Sequence, residues 1–296
     1  MLGLNFSHRE MLRLGLDPEE ALSAILIHLN PALLRLSLYW DEIAPEPGGY
    51  DFAVPQAMLD RAQDHGCRVL LTIGFKPQRH PAFHAPRWLI GAGPDRLSAN
   101  VHMMLERAVA LLADYNTIDA WEVENLPFLP ASRQPPGWSV GRQLLRRQIG
   151  VIRDVDSRHR PVVASHPGGH LLQRGWLEAL TAADVLGCLL SFQSQPDSGF
   201  ARLEAAAAER GLAWQLSIQA AVAARFGRPL WVTELIGDSE QDSKTDEVSL
   251  LERAVDLAQK AGAGRVYLRG AEQWLLMRSR GRPQRWLRAQ SLLRSS

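Results

Sequence analysis

Eight short runs of apolar and β-branched residues recur along this chain, and their spacing constrains the fold more than any other feature. They are Leu2–Ser7, Leu33–Trp40, Arg68–Gly74, Ile118–Leu126, Pro161–His166, Val185–Gln193, Pro229–Ile236 and Arg265–Arg269. Several lack strict apolar/polar alternation, the pattern of parallel strands covered on both faces. Helical patterns fill the gaps. Asp17-Pro18-Glu19-Glu20 reads as an N-cap, a proline at the first helical position and acids at the positive helix end. Ala21, Leu22, Ile25, Leu26 and Leu29 then follow at helical spacing. Val248, Leu251, Ala254, Val255 and Ala258 repeat the pattern, and Gly262 predicts its end. Intervals of roughly 26 to 52 residues between strand ends leave room for one strand, one helix and two loops each. The expectation is an α/β chain forming a single (β/α)8 barrel over residues 1–296. A doubly wound open sheet is the competing arrangement. It often carries a glycine-rich phosphate loop after its first strand, and Leu4-Asn5-Phe6-Ser7-His8-Arg9-Glu10 is not one.

Composition narrows the partners. The net charge is +1, without the basic excess expected of a nucleic-acid binder. The two cysteines, Cys67 and Cys188, form no CxxC spacing and sit in apolar runs, so they are read as buried free thiols. His166 and His170 flank Pro-Gly-Gly but lack further ligands, so no metal site and no cofactor are expected. The opening residues lack the charged-then-apolar order of a signal peptide, and Ala21–Leu29 is too short to span a bilayer. A soluble, cytoplasmic protein is the expectation, with no membrane partner. The arginine-rich end, Arg278 to Arg294 with Trp286 and Leu287 interleaved, reads as the last barrel helix with its arginines in solvent.

The chemistry gathers at the predicted strand ends. Arg35, Tyr39 and Trp40 fall on the second, and Trp121, Glu122, Glu124 and Asn125 on the fourth. Phe192 and Gln193 fall on the sixth, Glu234 on the seventh, and Arg269, Glu272 and Trp274 on or after the eighth. A carboxylate at the end of an apolar strand is costly unless it is paired or solvated in a cleft.

Four segments resemble clan A glycoside hydrolases, which are retaining (β/α)8 enzymes. Leu34 to Ile43, followed by Pro47-Gly48-Gly49-Tyr50-Asp51-Phe52, is similar to their second-strand region. Trp121-Glu122-Val123-Glu124-Asn125 resembles the fourth strand, which normally ends in Asn-Glu-Pro. Pro229 to Glu234 resembles the seventh, which ends in the nucleophile. Gly270-Ala271-Glu272-Gln273-Trp274, with Gly281-Arg282-Pro283 after it, is similar to the eighth-strand segment. The resemblance implies a nucleophile at Glu234, a sugar 2-hydroxyl contact at Asn125, an ion-pairing Arg35 beneath the nucleophile and an apolar sugar wall at Trp274. Tyr39 and His80 complete the expected substrate-contacting set, and His8, which follows the first strand, is a candidate for the pocket floor or mouth.

The sequence departs from that family where a proton donor is needed. Position 126, the acid/base glutamate of the family, is leucine: Asn125-Leu126-Pro127. A general acid contributes about 10²–10⁴-fold. Arg269 stands where the family often has an aromatic residue, and Leu190-Ser191-Phe192-Gln193 offers no tyrosine. Glu122 and Glu124 share strand parity with position 126 but lie deeper by roughly 7 Å per two residues. Asp238, Glu240 and Glu272 are the loop candidates for a replacement acid. Two readings remain. One is a barrel that binds, and with a relocated acid hydrolyses, a small β-linked carbohydrate. The other is a catalytically inactive sugar-binding or scaffold protein. Different chemistry through His80, His84 or His166 is a third, weaker one.

Overall fold

The computed structural model describes residues 1–78, 83–130, 139–169, 171–172, 175–192, 199–237 and 247–295. His80, His170, Gln193, Asp238 and Glu240 lie outside the described residues. The eight parallel strands close into a barrel in sequence order. They are β1 (Leu2–Asn5), β2 (Leu33–Ser37), β3 (Arg68–Ile73), β4 (Ile118–Val123), β5 (Val162–Pro167), β6 (Val185–Ser191), β7 (Leu230–Ile236) and β8 (Arg265–Leu268). Closure is made by β1 on β8, with Leu4 beside Leu268. The helices are α1 (His8–Arg13), α2 (Pro18–Leu29), α3 (Trp40–Ile43), α4 (Ala53–Asp64), α5 (Pro94–Leu112), α6 (Arg142–Val155), α7 (Gly175–Ala182), α8 (Gly199–Arg225), α9 (Glu247–Lys260), α10 (Ala271–Ser279) and α11 (Gln284–Arg294).

Local signals set the helix ends. Asp17 Oδ1 accepts the Glu20 N–H at 2.8 Å, Pro18 opens α2, and Ala21, Leu22, Ile25, Leu26 and Leu29 are its buried face. The basic end of the chain is α11, whose Trp286 is buried beneath the Arg278 guanidinium at 4.8 Å.

The core has two shells. Leu33, Leu70, Ala120, Val163, Val185, Trp231 and Tyr267 fill the base of the barrel interior. Their strand neighbours, such as Leu34, Leu71, Trp121 and Val232, belong to the larger cluster that packs sheet against helices. This alternation is the period-2 geometry of a strand. Counting from the base, the next inward positions are Arg35, Thr72, Glu122 and Thr233, where polar side chains replace apolar ones.

Several strands stop short of the sequence-based boundaries. Trp40 begins α3 and is not on β2. Glu124, Asn125 and Leu126 lie beyond β4, because Glu124 (φ 58°) and Leu126 (φ 51°) adopt left-handed conformations that a strand excludes.

Candidate active site

The polar layer is organised by one fully buried arginine. Arg35 donates from Nε to Glu122 at 2.7 Å and from NH2 to Asn125 Oδ1 at 3.0 Å. Its NH1 reaches Asn5 Oδ1 at 3.1 Å, the Thr233 carbonyl at 3.2 Å and Glu234 Oε2 at 3.4 Å. Thr72 Oγ1 adds a hydrogen bond to Glu122 at 2.6 Å. A buried guanidinium is tolerated when its fork is filled by charged and neutral acceptors, and this one is.

Glu234 reaches that arginine through an irregularity in β7. Strict alternation from Trp231 (inward) and Val232 (outward) would turn Glu234 outward. Instead both Thr233 and Glu234 stand between the outer residues Val232 and Leu235, where the β7–β8 register shifts. The β6–β7 register shifts opposite the same stretch, between Cys188 and Leu189. Such a bulge re-aims a side chain. Glu234 is only 1% exposed, and Arg269 NH1 donates to its Oε1 at 2.9 Å. The described partners of the Glu234 carboxylate are thus two guanidiniums, one on each oxygen. Glu122, Arg35, Glu234 and Arg269 form an alternating row of charge.

Glu122 on β4 and Glu124 just beyond it part company. Glu122 points inward to Arg35. Glu124 does not share its side, since its positive φ turns it away from the axis. Its carboxylate accepts the N–H groups of Phe75 (3.0 Å) and Lys76 (2.7 Å) and the Gln148 amide of α6 (2.6 Å). Gly74 makes room: a methyl there would stand 2.5 Å from Glu124 Oε2. Burial pushes the Glu124 carboxyl up to about 7, against the pull of those donors and the Lys76 charge. Lys76, lowered by burial to about 8, sends Nζ to the carbonyls of Leu126 (2.5 Å), Pro127 (3.2 Å) and Leu129 (2.5 Å). The lysine thereby fixes the turn that carries Asn125 and Leu126. Leu126 is buried, and its N–H donates to Ser165 Oγ at 3.0 Å. Asn125 Nδ2 is buried without a partner among the described residues.

The other candidates lie around this row. Tyr39 is buried with its hydroxyl 2.7 Å from Ser7 Oγ. The His8 and His84 rings meet its ring edge-on at 5.0 Å, and Arg9 lies over it at 4.4 Å. His84 and Arg9 converge on Asp41, and their hydrogen bonds hold its carboxyl below the ordinary range although burial opposes this. Glu272 accepts the Ser7 N–H at 2.8 Å. Trp274 is 1% exposed and belongs to the outer core. Its indole lies against Gly270 (φ 131°), where a methyl would be 2.7 Å from Cε2. The structure therefore brings Arg35, Asn125 and Glu234 together and leaves Trp274 packed in the core.

Asn5, Gly74 and Lys76 are site residues that the sequence reading passed over. Asn5 ends β1 and donates to the carbonyls of Thr233 (3.3 Å) and Tyr267 (3.1 Å), which ties β1 to the β7 irregularity. Lys76 had one signal, as one of only three lysines among 33 basic residues.

No family model and no curated protein matches this chain. Solved structures do. An exo-β-1,4-mannosidase from Opitutaceae bacterium strain TAV5 superposes with TM-score 0.67 at 17% identity, over 90% of this chain and 51% of that one. A GH5_18 protein from Bifidobacterium longum subsp. longum, solved with Manβ1-4GlcNAc, gives 0.66 at 17%, over 90% and 68%. Xylanase 10B from Thermotoga petrophila RKU-1, solved with xylobiose, gives 0.64 at 12%, over 91% and 81%. The chain has the closed barrel fold of these glycoside hydrolases and spans about half the length of the mannosidase. No helix among the described residues is long and apolar enough to cross a membrane.

Proposed function

We propose that this chain is a glycoside-hydrolase-like barrel that binds a small β-linked carbohydrate at the C-terminal end of its strands and has lost ordinary hydrolysis. The observation that carries this reading is the state of Glu234: 1% exposed, held by Arg35 on one oxygen and Arg269 on the other, with leucine at position 126. A retaining glycosidase needs a nucleophilic carboxylate and a protonated carboxyl roughly 5–5.5 Å apart. Glu124, the nearest carboxyl in sequence to position 126, is committed to backbone amides behind the strand. Glu122 is committed to Arg35 and Thr72. Asn125, with an unpartnered amide beside Arg35, supplies a donor for a sugar hydroxyl. The glycosides named with the structural neighbours, Manβ1-4GlcNAc and xylobiose, motivate the substrate class.

A catalytically silent scaffold without a sugar site is the second reading. It is favoured by Trp274, whose ring is buried in the core and packed against Gly270.

The test is a panel of activated aryl β-glycosides run on wild type, Leu126→Glu and Glu234→Gln. Hydrolysis gained only in Leu126→Glu, on one sugar, supports an intact sugar site that lacks its acid. Turnover in wild type that Glu234→Gln abolishes would overturn the loss of hydrolysis. No turnover in any variant, with no binding of β-linked disaccharides by calorimetry, favours the scaffold.

A further inference from the structure

Outside the strands, α1, α2, α3 and α4 enclose a groove of about 440 Å³ whose lining shares only His8 with the candidates above. Its volume falls within the range of small-molecule sites. Leu22 and Met58 are buried in its floor, while Leu12 and Val54 are its lips, 60% and 42% exposed. Pro18, Ala53 and Ala57 complete the apolar lining, and no Phe, Tyr or Trp ring is among the described lining residues. Three carboxylates, Asp17, Glu19 and Glu42, stand around it against one guanidinium, Arg61, and one imidazole, His8.

Both basic groups are already engaged. Arg61 NH2 pairs with Glu19 at 2.5 Å and its NH1 donates to Ser23 Oγ at 2.8 Å. His8 Nε2 lies 2.7 Å from Glu42 Oε2. Asp17 faces a backbone N–H of its own helix and no cation among its described partners. Glu42 keeps its carboxyl below the ordinary range, since hydrogen bonds and charge from His8 and Arg9 outweigh the effect of burial. The rim therefore carries an excess of fixed negative charge over an apolar floor. An anion would be repelled, and a sugar would find no stacking ring. The complement is a cation on a hydrocarbon body.

We propose that this groove binds a small organic amine, with its alkyl portion against Leu12, Leu22, Val54 and Met58 and its ammonium among Asp17, Glu19 and Glu42. The groove adjoins the candidate site through His8, whose ring also meets Tyr39.

The test uses the full chain and methyl-detected NMR near neutral pH. Hexylamine is the probe, with hexanol and hexanoate as matched controls. Saturable shifts of the Leu12, Val54 and Met58 methyl signals are expected with hexylamine, at least about threefold weaker with hexanol, and absent with hexanoate. Val54→Lys places an ammonium on the lip and should weaken hexylamine binding by more than about threefold. Glu19→Gln, an exposed change, should weaken it by about two- to fivefold. Equal responses to hexylamine and hexanol, saturable hexanoate binding at these methyls, no saturable hexylamine shift, or affinity unchanged in both variants would each overturn the proposal.

Discussion

Replacing Gly74 by alanine tests whether Glu124 is built into the wall behind the site. Gly74 has φ 124°, outside the range that alanine adopts without strain, which costs about 1–3 kcal/mol. The new methyl would also meet the Glu124 carboxylate, 2.5 Å from Oε2. Moving that carboxylate deprives three buried donors of their acceptor: the N–H groups of Phe75 and Lys76 and the Gln148 amide. Each orphaned donor costs about 1–3 kcal/mol. Even the low ends give a loss of about 4 kcal/mol, which lowers the Tm by about 8 °C or more. Thermal and urea unfolding followed by circular dichroism measure it. Gly150→Ala on α6 is the control, because nothing lies within 4 Å of its added methyl. It should stabilise by about 0.5–1 kcal/mol. Repeating Gly74→Ala in a Glu124→Ala background separates clash from strain. There the cost should shrink by at least about 2 kcal/mol, leaving the backbone contribution. A Gly74→Ala variant within about 1 kcal/mol of wild type, or one equally costly in both backgrounds, refutes the reasoning.

Arg35→Met strips Glu122 and Glu234 of their shared cation, and the urea midpoint should report a loss of about 3–5 kcal/mol. Restoring the charge balance with Glu122→Leu in the same chain should recover part of it. Glu124 binds its proton with a pKa near 7 in the folded state against an ordinary 4.5, so the native protein holds the extra proton between those values. Stability should therefore rise as pH falls from about 7 toward 4.5 and be lost as pH rises through 7, a span of about 3 kcal/mol. In Glu124→Gln that component of the pH slope vanishes, and parallel urea titrations of the two proteins would expose a wrong sign. Cys67 is buried with its thiol pushed up to about 12, and burial also raises the Cys188 thiol. Neither should react with a disulfide reagent until the chain unfolds, so prompt labelling of native protein would contradict their placement.

The barrel is legible in the chain alone. Apolar runs at βα spacing are local features, and the steric rules behind strand alternation, the Asp17-Pro18 helix start and the Leu22–Leu29 apolar face act within a few residues. The sequence also marks the polar groups at apolar strand ends, and the resemblance to clan A glycoside hydrolases singles out Arg35, Asn125 and Glu234 among them. Which way those groups turn depends on contacts between distant strands. Glu234 faces inward only because β7 carries an extra residue between Val232 and Leu235, a shift set against both neighbouring strands. Glu124 turns outward through a left-handed backbone stabilised by Gly74, Gln148 and the Phe75 and Lys76 amides. Arg35 gathers acceptors from β1, β4 and β7 at once, from as far as 199 residues away in sequence. Period-2 counting assumes regular backbone. Non-local hydrogen bonds that outweigh the local cost of a positive φ or a bulge break that assumption, and here they do so at the candidate site.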